Sequence, residues 1–326
     1  MNPVDRDTVA VSGDLPNYLA YESQEPPETV ERLARLLALA REKGWRQALD
    51  ELYTDQGGAG YVTDTARAAY LDLIPFNAEA DVLEIGASMA QHTSLIAPRV
   101  KSVRALEVVP GQARFAAERC RQEGLDNVSI AIGGDDCTLP YENASFDCVV
   151  LNLVFEWCGS RLPEGPAAGQ ERLLSHISRV LRPGGMFWLA TKNRYALRLL
   201  LGGRDEHLHG CRIGSALPRF AQAAIVRTLG KGRAPGLLHS YGALRHKLER
   251  HGFGEFRSFW GVPDMRYPTQ FIELTSDAVR AARREGGFQE GPTRLTRTFM
   301  PWVPAPLVKH FTPGLAFLAV KQAKRP

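Results

Sequence analysis

The 326-residue chain has no apolar run long enough to cross a membrane. Cysteine is scarce: the five, at 120, 137, 148, 158 and 211, show no metal-ligand spacing. That pattern argues against a zinc module or a disulfide framework and favours reduced thiols packed as small hydrophobes. Net charge is also small, since 40 Lys and Arg against 36 Asp and Glu leave only +4. The basic residues are scattered, apart from Arg280, Arg283 and Arg284, which read as one solvated helix face. Without a groove-length basic stripe, a nucleic-acid partner is not expected. The start, Met1 to Asp7, is polar and acidic rather than signal-like. These absences predict a cytoplasmic protein, monomer or homodimer, that meets neither nucleic acid nor membrane. What is there, 44% hydrophobic and 23% charged residues, is the composition of a globular core with a polar surface.

A second scarcity is local, and it points to a ligand. Asp81-Val82-Leu83-Glu84-Ile85-Gly86 is an apolar run ending in an acid and a glycine turn. A buried strand opening into a helix reads this way, with Gly86 letting the backbone turn sharply and approach a ligand. The next apolar run ends in Glu107, a carboxylate roughly 20 residues on, which is placed to hold ribose hydroxyls. A pyrophosphate turn needs further glycines, but Ser88, Ala90 and Gln91 stand there instead. Glu84 repels phosphate and suits a cationic amino acid. The pattern is that of a nucleoside-binding α/β sheet, with a dinucleotide disfavoured.

Further along come Gly134-Asp135-Asp136-Cys137-Thr138-Leu139-Pro140, Ser145 to Asn152, and Val180-Leu181-Arg182-Pro183-Gly184-Gly185 before a strand at Met186 to Ala190. In order and spacing the stretch from Val82 to Thr191 resembles class I methyltransferases that use S-adenosylmethionine (SAM) and release S-adenosylhomocysteine. The resemblance implies cofactor roles. Glu84, Gly86 and Ser88 would border the methionine part, Glu107 the ribose, and Asp135 with Asp136 the adenine, while Asn152 would face the methyl group. A narrower resemblance runs through Lys192-Asn193-Arg194, Leu201-Gly202, Asp205-Glu206-His207 and Pro263-Asp264-Met265-Arg266-Tyr267-Pro268. It is similar to methyltransferases of sugar-modifying pathways, for surface polysaccharides or aminoglycoside natural products. There Lys192 stands where the pattern carries an acid.

The chain reads as an α/β protein with a Rossmann-like, seven-stranded sheet. Residues 1–60 form an N-terminal helical extension or lid and 61–192 a SAM-binding core. Cap insertions at 193–240 and 262–312 flank a core helix and strand at 241–261, and 313–326 holds the last strand. Residues 1–26 are Pro-rich and polar, expected to drape over the surface. Strands are expected near 81–85, 103–107, 128–132, 147–152, 186–191, 256–261 and 314–321. Both insertions leave from carboxyl ends of strands, where open α/β sheets bind ligands. They are too long for ordinary connections and read as a substrate cap. Tyr61, beside the Gly57-Gly58-Ala59-Gly60 hinge, is a candidate lid contact to the cofactor.

Methyl transfer from a sulfonium needs alignment of donor and acceptor, plus a base where a hydroxyl or ammonium must lose a proton. His207 is the first candidate base, with an adjacent acid to orient it; Asp205 and His209 are the other catalytic candidates. Glu156, Trp157, Asn193, Glu206 and Asp264 are candidate substrate contacts, with Trp157 stacking on a sugar face or packing under a helix. His92 reads as structural or near the SAM carboxylate. No metal is expected. The expected activity is methylation of an amino or hydroxyl group of a sugar, preferably an aminoglycoside intermediate, N-methylation favoured. O-methylation of an aromatic, polyketide or polysaccharide precursor is the alternative, suggested by Phe259, Trp260, Phe299 and Trp302. A SAM-binding regulator is the non-enzyme alternative.

Overall fold

The computed structural model describes residues 15–22, 25–54, 58–230, 232–286 and 294–323. Most of the expected N-terminal drape and Gly57 of the hinge lie outside the described residues. Among the described residues the strands are β1 (Asp81–Ile85), β2 (Ser102–Glu107), β3 (Val128–Ile132), β4 (Phe146–Asn152), β5 (Leu181–Lys192), β6 (Arg204–Asp205), β7 (Cys211–Arg212), β8 (Phe253–Val262), β9 (Gln270–Glu273) and β10 (Gly314–Lys321). The seven strands read from sequence are all present, within a few residues at each end. The main sheet has an eighth, β9, because the second insertion folds back along β8 instead of staying a loop. Two compact units divide the chain inside β4 and β5: one ends at Val150 and adds Arg179–Gly185, the other holds Leu151–Ser178 and continues from Met186.

In the first unit, β1, β2 and β3 pair in parallel. Their carboxyl-terminal residues are buried, as continuous apolar runs in a parallel sheet require. Helices Pro27–Lys43 and Trp45–Leu52 break at Gly44, whose φ of 96° no β-carbon residue adopts cheaply. Leu33, Leu36, Trp45 and Leu49 from these helices cluster with Phe115 of the helix Pro110–Gln122. Each such buried side chain contributes about 1.5–3 kcal/mol. Arg119, on that same helix, stacks its guanidinium on Trp45 at 4.1 Å and donates to Met89 O and Ser94 Oγ, which pins the turn after β1. Arg182 ties the strand starts together, paired with Asp81 at 3.0 Å and with Asp147. Residues 15–22 do not simply drape: Asn17 bridges Ile132 of β3, and Leu15 and Leu19 pack on the same apolar cluster as Ile130 and Ile132.

In the second unit, β10 lies between β5 and β8 and is antiparallel to both, so β5 and β8 run the same way. Lys192 and Val262 therefore end at one edge, where both insertions leave and β10 begins. The first insertion forms the β6–β7 hairpin and the helix Arg219–Thr228. The second forms β9 and the helix Ser276–Arg284, N-capped by Thr275 Oγ1. Among the described residues no helix is long and apolar enough to cross a membrane.

Candidate active site

Two carboxylates sit side by side at the carboxyl ends of β1 and β2 in the first unit. Glu84 is 2% exposed and Glu107 4%. Glu84 Oε2 accepts from Thr93 Oγ1 at 2.5 Å, and Oε1 lies 3.6 Å from His92 Nδ1. Glu107 accepts the backbone N–H of Ser88 at 2.7 Å and of Val109 at 2.9 Å. Burial, reinforced by Glu84, raises its pKa against those hydrogen bonds. Among the described residues no Lys or Arg pairs with either acid. Gly86 turns at φ 79°, and its N–H and that of Ala87 both reach Leu106 O. Ser88 and Ala90 also hold positive φ, at 49° and 60°, so the turn keeps a shape usually left to glycine. His92 is buried against Tyr70, and its Nε2 has no hydrogen-bond partner.

The rest of this end is partly covered. Both Asp135 oxygens accept backbone N–H groups of residues 15–22, from Ala20 at 3.0 Å and Tyr21 at 2.8 Å. Asp136 closes its own turn onto Thr138 N and Oγ1. Tyr61 lies in the helix Gly58–Thr63 with the Arg67 guanidinium 3.7 Å from its ring centroid.

The second unit holds a cavity of about 420 Å³ at the edge where β5, β8 and the insertions meet. Six of its eleven lining residues are charged: Lys192, Arg198, Arg204, Glu206, Asp264 and Arg266. Glu206 pairs with Lys192 and lies 3.8 Å from Arg266. Burial first, then repulsion from Arg266 and Arg198, pulls the Lys192 amine down to about 8. A β-carbon at Gly314, the first residue of β10, would meet Met265 at 2.5 Å, so only glycine lets this wall close.

Beside the cavity lies a buried pair. His207 Nδ1 is 3.2 Å from Asp205 Oδ1, and Asp205 Oδ2 accepts Ser215 N at 2.6 Å. Burial works against the Asp205 charge, but the bonds from His207 and Ser215 hold its carboxyl down to about 2. The His207 ring stacks on Trp157 at 4.6 Å, and its buried Nε2 has no hydrogen-bond partner but lies 4.0 Å from Glu206 Oε1. Glu156 is also fully buried, with Oε2 accepting from Thr191 Oγ1 at 2.8 Å and Oε1 unpartnered.

The structure thus brings Glu206 and Asp264 into the cavity and joins Asp205 to His207, but separates other candidates. His209 turns away in a left-handed conformation, and its Nε2 lies 2.9 Å from Arg233 O. Asn193 is buried, donating to His310 O and accepting from Tyr195 N. Asn152, the last residue of β4, has Oδ1 3.3 Å from Trp188 Nε1. Trp157 covers His207 with 38% of its surface exposed. The cavity cations Arg198, Arg204 and Arg266 were not singled out from sequence. Their only signal is position after strands that share one edge, and that edge is unknown until β10 is placed.

Residues 83–189 match the family described as methyltransferase domain. The biotin biosynthesis bifunctional protein BioHC of Cellvibrio japonicus is 30% identical over 38% of this chain and 22% of its own length. The malonyl-[acyl-carrier protein] O-methyltransferase of Methylococcus capsulatus is 31% identical over 34% of this chain and 37% of its own. For the protein-L-isoaspartate O-methyltransferase of Myxococcus xanthus the values are 31%, 36% and 60%. The chain thus spans from about a fifth to three fifths of these relatives. Among solved structures, phosphoethanolamine N-methyltransferase 2 of Haemonchus contortus in complex with S-adenosyl-L-methionine aligns with TM-score 0.48 at 14% identity, covering 89% of this chain and 60% of that one.

Proposed function

We propose that residues 83–189, which match the family described as methyltransferase domain, use SAM, and that the chain moves a methyl group from it to a hydroxyl or amino group of a polar, sugar-like small molecule. The observation that carries this is the pair of buried carboxylates, Glu84 and Glu107, with no Lys or Arg partner among the described residues. Buried acids left without a cation are costly unless a cationic ligand completes them. SAM, with its sulfonium and ammonium, is such a ligand, and the residues present fit it.

When bound, SAM supplies an electrophilic methyl group. Glu107 would accept the ribose hydroxyls, and Glu84 would balance the positive methionine end beside Gly86 and Ser88. Asp135 would meet the adenine amino group once the Ala20 and Tyr21 amides release it. In the second unit, the ionised Asp205 orders the Nδ1–H of His207 toward itself and leaves Nε2 as the proton acceptor. Nε2 is fully covered and lies 4.0 Å from Glu206 Oε1, so a substrate reaches it only after a neighbouring side chain moves.

The charged lining suits a polar acceptor. It does not favour the aromatic alternative: among the described residues no aromatic lines the cavity, Phe259 and Trp260 are buried in β8, and the exposed Phe299 and Trp302 lie outside the lining. Nor does it favour a polycationic aminoglycoside, which would meet four cations and two carboxylates there. Methyl-labelled SAM offered with neutral, acidic, phosphorylated and aminated sugars tests the proposal. Label should pass to at least one class. SAM binding with no transfer across the panel would instead support the regulator, and no SAM binding would refute both.

A further inference from the structure

Two cations of the second unit's cavity converge on one carboxylate that belongs to the chain itself. Glu206, on the short turn after β6, is half exposed, yet it pairs with Lys192 and approaches Arg266. Lys192 ends β5, Arg204 begins β6 and Arg266 follows β8, so three separate elements hold cations around one space. Arg198 adds a fourth, its Nη1 donating to Arg204 O. The carboxylates in the lining are Glu206 and Asp264, and the buried Glu156 also acts on Lys192. The Asp264 Oδ1 already accepts the N–H groups of Arg266 at 2.7 Å and Tyr267 at 3.2 Å, closing its own turn. Like charges gathered this closely repel, and their repulsion falls when an anion enters.

We infer that the cavity is an oxyanion seat: the acceptor carries a carboxylate or phosphate group that binds Lys192, Arg204 and Arg266 and displaces Glu206. The substrate role rests on the methyl-transfer reading above. Arg presents a planar fork that matches carboxylate and phosphate oxygens, and Lys adds a point charge. Glu206 acts as the resident stand-in, filling the seat until the ligand arrives. The anion is the handle that positions the acceptor, and the cavity volume of about 420 Å³ is within the range of small-molecule sites. The lowered amine of Lys192 agrees with this, because a bound anion stabilises its charged form.

The experiment is calorimetric titration of inorganic phosphate, and separately of acetate, into the full chain at low ionic strength. At least one should bind saturably. Binding should weaken tenfold or more in Lys192→Gln and in Arg266→Gln, and should strengthen in Glu206→Gln, where the stand-in loses its charge. Glu206 is half exposed, so that variant also guards against a folding artefact in the other two. Preferential methylation of a hexuronate or of a hexose phosphate over the neutral hexose then tells which source the seat serves. Binding of neither probe, unaltered binding in both cation variants, or weaker binding in Glu206→Gln overturns the inference. Preferential methylation of the neutral or aminated hexose does so too. SAM affinity in the same samples should stay unchanged; a parallel loss would assign the cations to the cofactor's own carboxylate. If wild-type chain binds no SAM at all, the methyl-transfer reading fails, while the oxyanion seat is still judged by its own titration.

Discussion

The two units handle buried charge in opposite ways. At the ends of β1 and β2 the first unit buries two acids and gives neither a Lys or Arg partner among the described residues. At the edge shared by β5, β8 and β10 the second unit collects four cations, with the half-exposed carboxylate of Glu206 paired to one of them and Asp264 beside it. Both arrangements gather like charges, whose repulsion is strong for the buried acids and weaker for the part-exposed cations. Their signs indicate what each is built to receive: a cation in the first, an anion in the second. On the proposed reading these would be the donor and acceptor sites, and the charge pattern would separate the two molecules before either is bound.

The comparison can be broken most sharply at His207. His207→Ala should lower turnover about 10²-fold while leaving SAM affinity intact, if its Nε2 takes the acceptor's proton. Full turnover would remove the Asp205–His207 pair from the chemistry and leave alignment as the main contribution. On the donor side, Glu107→Ala should weaken SAM binding by about 1–3 kcal/mol, because a charge-assisted hydrogen bond to ribose is lost. An unchanged dissociation constant would mean that the unpaired acids of the first unit are not the cofactor's.

Smaller effects sharpen the contrast. Lys192 is held at about 8, below its ordinary value, so it is charged at pH 7 and neutral at pH 9. Sulfate, whose own charge is constant over that range, should therefore bind about threefold or more weakly as pH rises through 8. The charged groups facing Lys192 are Glu206, Glu156, Arg198, Asp264 and Arg266. In Lys192→Gln the slope should vanish; an identical profile would place the titration elsewhere. The smallest effect is expected far from either site. Arg182→Ala removes the pairs to Asp81 and Asp147 and should cost about 1 kcal/mol or less in urea unfolding, since those groups are partly exposed. SAM and oxyanion affinities should not move with it.

The sequence by itself determined the donor half. β1, its glycine turn and the acid ending β2 are written in contiguous residues, because a buried parallel strand must be apolar along its length and the ligand contacts sit at its tip. The seven core strands and the placement of two long insertions at strand ends were legible for the same local reasons. The tertiary structure alone decided the acceptor half. Lys192, Glu206 and Arg266 meet only because β10 inserts antiparallel between β5 and β8 and brings their ends to one edge, and no periodicity reports that pairing. It also decided that His207 is covered by Trp157, that Asn193 is engaged with His310 and Tyr195, and that Asp135 is met by the amides of Ala20 and Tyr21. Local pattern fixes a residue's type and element, but the charge a site presents is a sum over side chains far apart in sequence, and only packing performs that sum.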